Sequence, residues 1–227
     1  MKNLSQVPPD ASAALYFLPG QYLFADFKES SVSVKALSSD QVARAFRKVH
    51  TDTGWLGKRV LRYREAPEGN AIISYQAAAI RKITIFFADR GLVELVLPLP
   101  TLVLLGKGQE YYLWAAASTQ ITANTSLAVA PLPNIGSGKI CFGKNEVPET
   151  HPSTLGEVWK LIFDTPFNGD HTGERCNSEP QDARELLRKL ADYKAKKFPK
   201  SELILSSTTV EAAWETIVER RRYDSRF

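Results

Sequence analysis

The chain has 227 residues, enough for one large domain or a domain with an extension, and is 44% hydrophobic and 24% charged, as ordinary globular proteins are. A net charge of +4 is only mildly basic, and no aromatic residues interleave Lys194, Lys196, Lys197 or Arg220, Arg221 and Arg222 as base-stacking platforms would, so nucleic acid is not an expected partner. No charged and apolar leader opens the sequence, and the apolar stretch Leu92 to Leu105 is broken by Glu94, Pro98 and Pro100, short of the roughly 20 residues of a membrane span. The expectation is a soluble, cytoplasmic protein without membrane contact.

The first dozen residues, with Pro8 and Pro9, read as a loose terminus. Ala14–Phe17 and Tyr22–Phe27 read as strands around a Pro19-Gly20 turn. A helix is predicted from Asp40 to Val49, with Ser38 and Gln41 as a capping box and Val42, Ala45, Phe46 and Val49 on one face. Five β-branched or aromatic runs follow: Ala71–Tyr75, Lys82–Phe87, Leu92–Leu97, Thr101–Leu105 and Glu110–Ala116. Their short connections predict an antiparallel meander, with Pro98 and Pro100 at a break or an edge. Ala128 to Pro152 lacks periodicity and reads as a loop with defined turns.

Three helices close the chain. Thr154 and Glu157 form a capping box before Leu155, Val158, Trp159, Ile162 and Phe163, and Pro166 should stop that helix. A second begins near Pro180 with Ser178 as cap, and its apolar face is Ala183, Leu186, Leu187, Leu190 and Ala191. A third opens on Thr208 and Glu211 and buries Val210, Ala213, Trp214, Ile217 and Val218. Trp55, Trp114, Trp159 and Trp214 read as core or interface aromatics. The fold class is α+β, with residues 1–50 as an N-terminal extension packed on a main domain of residues 51–227.

Cys141 and Cys176, without a leader, read as free thiols. The irregular segment carries one of them in the string Leu132-Pro133-Asn134-Ile135-Gly136-Ser137-Gly138-Lys139-Ile140-Cys141-Phe142. This string resembles the active-site segment of ubiquitin-conjugating enzymes, in which His-Pro-Asn precedes a glycine-containing turn, an aliphatic residue and the catalytic cysteine. Pro133, Asn134, Gly138, Ile140 and Cys141 match that pattern. Leu132 stands where the histidine would be, and the interval from Asn134 to Cys141 is one residue shorter. The lost histidine is a feature of prokaryotic ubiquitin-conjugating-like family D, which the chain resembles over roughly residues 82–227. Trp55-Leu56 and Leu97-Pro98-Leu99-Pro100 also look like a member of that family from a plasmid-borne cassette. The strands before the first helix have no counterpart in the common pattern.

The resemblance implies a ubiquitin-conjugating-enzyme-like fold and a transferase. Cys141 would accept a ubiquitin-like protein as a thioester from a ThiF-like adenylating enzyme, and a JAB-type peptidase is a further implied partner. No cofactor is expected, because the partner consumes the ATP. Asn134 is the candidate oxyanion donor and His171, in Asn168-Gly169-Asp170-His171-Thr172-Gly173, the candidate base. Lys139, Lys144 and the N-terminus of the Thr154 helix are candidates for favouring the thiolate.

Each residue has a plainer reading. Cys141 between Ile140 and Phe142 could be a small buried hydrophobe, Asn134 a turn residue, and His171 a loop histidine without a role. His50 and His151 read as incidental. A zinc site of Cys141, His151, His171 and Cys176 lacks paired ligand spacing. Gly136-Ser137-Gly138-Lys139 is not a phosphate loop, because Pro133 and Ile140 replace its required glycine and hydroxyl. Ser137 lacks the nucleophile-elbow pattern. The rival from another class is a non-catalytic scaffold of the same fold that binds the ubiquitin-like protein or other cassette partners.

Overall fold

The computed structural model describes residues 10–28, 31–47, 59–66 and 69–219. The readings that rest on Pro8 and Pro9, the Phe46 side chain, Val49, His50, Trp55-Leu56 and Arg220 to Arg222 fall outside them. The chain divides into two compact units, residues 1–55 and 56–227. Among the described residues no helix is long and apolar enough to cross a membrane.

The first unit is a three-stranded antiparallel sheet and one helix. Strands β1 (Ala13–Leu18) and β2 (Gln21–Lys28) flank Pro19-Gly20, with Gly20 at φ +73°. That left-handed value after a proline is what a tight two-residue turn needs. A strand absent from the sequence reading, β3 (Ser31–Leu37), pairs with β2 in unbroken register. Helix α1 (Ser39–Arg47) carries the predicted capping box: the Gln41 N–H donates to Ser38 Oγ (3.2 Å) and the Ser38 N–H to Gln41 Oε1 (2.9 Å). Val42 is buried, while Ala45 is exposed.

The second unit opens with β4 (Val60–Arg64), β5 (Ala71–Gln76), β6 (Ala79–Phe87), β7 (Gly91–Leu99), β8 (Thr101–Lys107) and β9 (Glu110–Ala116). All pairings are antiparallel, yet they do not form a simple meander. β5 pairs with β8, giving the order β4-β5-β8-β9, and β6 with β7 forms a separate hairpin. Proline explains the detour. Pro98 and Pro100 have no N–H, so the chain around them cannot serve as the middle of a ladder. Pro98 therefore lies on the two-stranded hairpin opposite Ile80, and Pro100 occupies the break before β8.

The hairpin folds onto the sheet. Alternation along β5 and β8 sends Ile72, Leu102 and Leu104 to one side, where they meet Ile83, Ile85, Leu95 and Leu97. Helices α2 (Leu155–Asp164) and α3 (Ala183–Asp192) complete that layer, α2 against β6 and α3 against β7. Ala71, Ile73, Val103 and Leu105 face the other way, onto Val210, Ala213 and Trp214 of α4 (Val210–Trp214). Both faces of β8 are covered, which is why Thr101–Gly106 is buried without a polar alternation. On the far side of β9 lie short strands β10 (Ser126–Val129) and β12 (Lys139–Ile140), with β11 (Ile135–Gly136) beyond β12 and β13 (Leu205–Thr209) beyond β10.

Three caps differ from their sequence readings. Thr154 makes no side-chain cap; its hydroxyl donates to the Glu149 and His151 carbonyls (2.7 and 3.1 Å). Helix α3 starts three residues after Pro180, with Asp182 rather than Ser178 as cap, accepting from the Arg184 N–H at 3.0 Å. The α4 cap is Thr209, the last residue of β13, accepting from the Ala212 N–H at 3.2 Å, so the helix starts one residue later than the Thr208 box places it. The Asp182 carboxyl also pairs with the Arg184 guanidinium at 2.7 Å. Burial alone would raise its pKa, but these hydrogen bonds and the Arg184 charge hold it below the ordinary value. A depressed folded value means the stabilisation is complete above the unfolded pKa of about 3.9 and is lost as pH falls through the folded value. In urea unfolding at neutral pH, Asp182→Ala is expected to cost about 1–2 kcal/mol, and Ser178→Ala less than about 0.5 kcal/mol.

Candidate active site

The segment between β10 and α2 is pinned to the sheet by a two-residue hairpin. Ile135 pairs with Ile140 and Gly136 with Lys139. Ser137 and Gly138 make the turn at φ +50° and +88°, the double left-handed geometry that suits the twist of a hairpin. Gly138 is required twice over, since a Cβ there would also lie 3.1 Å from the Trp114 ring. The Leu113 N–H donates to the Gly138 carbonyl (2.8 Å), fastening the turn to β9. Ile135 and Ile140 point into the core, so Gly136 and Lys139 take the opposite face.

Cys141 follows β12 directly and is exposed. Its N–H donates to the Asn134 carbonyl at 2.7 Å, so the two residues face each other at the base of the hairpin. Across the shortened interval the Asn134 backbone keeps its register with Cys141, in a left-handed conformation at φ +61°. Its Oδ1 accepts from the Asn168 N–H at 2.8 Å, and its own N–H donates to the Asp170 carbonyl at 2.8 Å. Because an N–H faces Oδ1, the atom left for other work is the Nδ2 donor. Leu132, at the position of the motif histidine, is fully buried in the core.

The loop after α2 runs beside this hairpin. Phe167 lies along β6, with the Phe86 N–H donating to its carbonyl (2.7 Å) and its own N–H to Thr84 (2.9 Å). Next comes an Asx turn in which the Asp170 N–H donates to Asn168 Oδ1 (2.8 Å). His171 folds back so that its Nε2 lies 2.9 Å from where a Gly136 Cβ would be. Its ring therefore packs on Gly136 of the hairpin, and only glycine at position 136 leaves room for it.

Arg175, absent from the sequence reading, holds the loop to the hairpin. It is 7% exposed and donates to the carbonyls of His171 and Ile135. β11 is the outermost strand of the sheet, and the guanidinium takes the place of a missing neighbour along its edge. Burial pushes the Arg175 pKa down, and among the described residues no carboxylate pairs with it. Nothing in the string Glu174-Arg175-Cys176 marks this role; only the hydrogen bonds from the folded loop to the hairpin reveal the clamp.

A shallow apolar pocket adjoins the thiol, lined by Asn134, Cys141, Phe142, Leu161, Thr165 and Phe167 among others. The part of α2 that lines it is the C-terminal turn, so that helix presents the wrong end of its dipole to help a thiolate. Lys139 is also committed elsewhere, its Nζ 2.7 Å from Glu110 Oε1. Cys176 is buried, its Sγ donating to the Glu179 carbonyl (3.3 Å), and burial pushes its thiol pKa up. His151 bonds Ser153 and meets Tyr63 edge-on. Among the described residues no three metal-ligating side chains converge.

The two thiols should separate in a labelling experiment. Native protein is expected to react with Ellman's reagent at one thiol per chain and unfolded protein at two. Cys141→Ala should remove the native reaction and Cys176→Ala should leave it.

No curated protein and no solved structure matches the chain. The family model described as prokaryotic E2 family D matches residues 33–206, a span that holds the hairpin, Asn134, Cys141, His171 and Arg175. The chain belongs to prokaryotic E2 family D.

Proposed function

We propose that this protein is a ubiquitin-conjugating-like transferase that carries a ubiquitin-like protein as a thioester on Cys141. The observation that carries the reading is Asn134 closed against Cys141 by a 2.7 Å backbone hydrogen bond, with its side-chain acceptor occupied and its amide donor left over. Family membership supports a conjugating role in general terms. The finer reading, a ubiquitin-conjugating fold and kinship with protein B of the ParB-related, ThiF-related cassette, rests on the sequence resemblance.

In the first step the Cys141 thiolate attacks the thioester carbonyl presented by a ThiF-like adenylating enzyme. A new C–S bond forms and the partner's thiolate leaves. In the second step an amine attacks the Cys141 thioester, the carbonyl oxygen becomes an oxyanion, and collapse expels the Cys141 thiolate as the amide forms. Asn134 Nδ2 donates to that oxyanion. His171, packed on Gly136 of the same hairpin, is the base that takes the proton the amine loses. ATP is spent by the adenylating partner, so the chain needs no cofactor of its own. A JAB-type peptidase would process the ubiquitin-like protein, and all of these partners would meet in the cytoplasm.

The test is intact mass after incubation with the cassette's adenylating enzyme, its ubiquitin-like protein and ATP. The expected result is a thiol-labile adduct that Cys141→Ala abolishes and Cys176→Ala spares. No adduct, with the adenylating enzyme itself shown to be charged, would sink the transferase and leave a scaffold that binds these partners.

A further inference from the structure

The first unit carries a surface that neither the site nor its chemistry uses. Strand β3 is hydrogen-bonded to β2 along its whole length, from Ser31 opposite Lys28 to Leu37 opposite Tyr22. Among the described residues it has no other neighbour. Alternate N–H and C=O groups of an edge strand point outward, and they template pairing with another strand. Natural edges are blunted by proline, bulges, very short length or charged side chains, above all lysine, of which β3 has one, Lys35. β3 has seven residues, no proline and no register shift, and Ser31 to Ala36 are all exposed.

This unit is also poorly filled. Ala25 and Val42 are its only buried apolar side chains among the described residues, whereas Phe17, Leu18, Phe24, Val32 and Val34 are exposed. Val32 and Val34 stand 52% and 55% exposed on one face of the edge strand. A sheet of only three strands is marginal by itself, and a unit of this size gains stability by association that adds strands at its edge.

We propose that β3 pairs antiparallel with β3 of a second copy, joining two three-stranded sheets into one of six strands. The strand is self-complementary about a twofold axis at Val34. Val34 meets its own counterpart, Val32 meets Ala36, Ser33 meets Lys35, and Ser31 meets Leu37. Apolar side chains share one face with apolar side chains. Lys35, the single charge on the strand, faces a serine and never a second lysine, so no like charges oppose. The contact is isologous, each chain offering the same strand, and it closes at two copies.

Sedimentation equilibrium of the full chain at about 100 µM, where even weak pairing is populated, should give twice the 25.3 kDa chain mass. Val34→Lys sets two ammonium groups opposite each other across the axis, and Val34→Glu two carboxylates. Each variant alone is expected to weaken association at least about tenfold. An equimolar mixture of the two is expected to restore the dimer. The position is more than half exposed, so both variants should fold. A monomeric wild-type chain overturns the proposal. So does a dimer that both variants leave intact, which would place the interface elsewhere.

Discussion

The hydrogen bond from the Cys141 N–H to the Asn134 carbonyl is the contact on which the candidate site depends. It closes a hairpin of only two paired residues on each arm, too short to be stable alone. Three supports hold it: the Leu113 N–H on the Gly138 carbonyl, the inward side chains of Ile135 and Ile140, and the Arg175 guanidinium on the Ile135 carbonyl. Each support comes from a different element, namely β9, the core and the loop after α2. Cys141 and Asn134 are thus placed by the whole second unit. Burying a cation without a carboxylate is costly, and here the cost is offset by hydrogen bonds to the Ile135 edge carbonyl and the His171 loop carbonyl.

The larger fold supplies the rigidity behind those supports. β8 and β9 are fixed from both faces, by the β6–β7 hairpin with α2 and α3 on one side and by α4 on the other. The detour of β6 and β7 off the sheet, imposed at Pro98 and Pro100, provides the surface on which α2 and α3 settle. It also leaves β6 free to receive Phe167, and from Phe167 the chain turns directly into the Asn168 contact with Asn134. Two prolines thereby help set where the loop carrying His171 begins.

What the sequence disclosed and what it hid divide by range. The Ser38–Gln41 box was legible because both hydrogen bonds close within four residues. The five central strands were legible from alternation and β-branched composition. The same box pattern misled at Thr154, where the Glu149 and His151 carbonyls capture the hydroxyl, and at Thr208, where β13 extends one residue further than local preference suggests. Pairing of β5 with β8 rather than β6 was invisible because it depends on which ladder can tolerate missing N–H groups. In the candidate site, the motif picked out Cys141, and the fold shows it exposed and bonded to the Asn134 carbonyl. The fate of Asn134 turned on three left-handed backbone angles that residue types only hint at. Arg175 was illegible because its two acceptors are carbonyls, which every residue carries.

The account rests on Asn134 acting through its Nδ2 donor while its Oδ1 only holds the loop. Asn134→Asp separates the two roles, since it keeps an acceptor facing the Asn168 N–H and removes the donor. The measurement is single-turnover discharge of the pre-formed Cys141 thioester to a small amine, wild type against Asn134→Asp. Discharge about a hundredfold slower in the variant is the predicted result. Discharge at the wild-type rate would contradict the account, leaving Asn134 as a structural turn residue and the oxyanion without a donor from this hairpin.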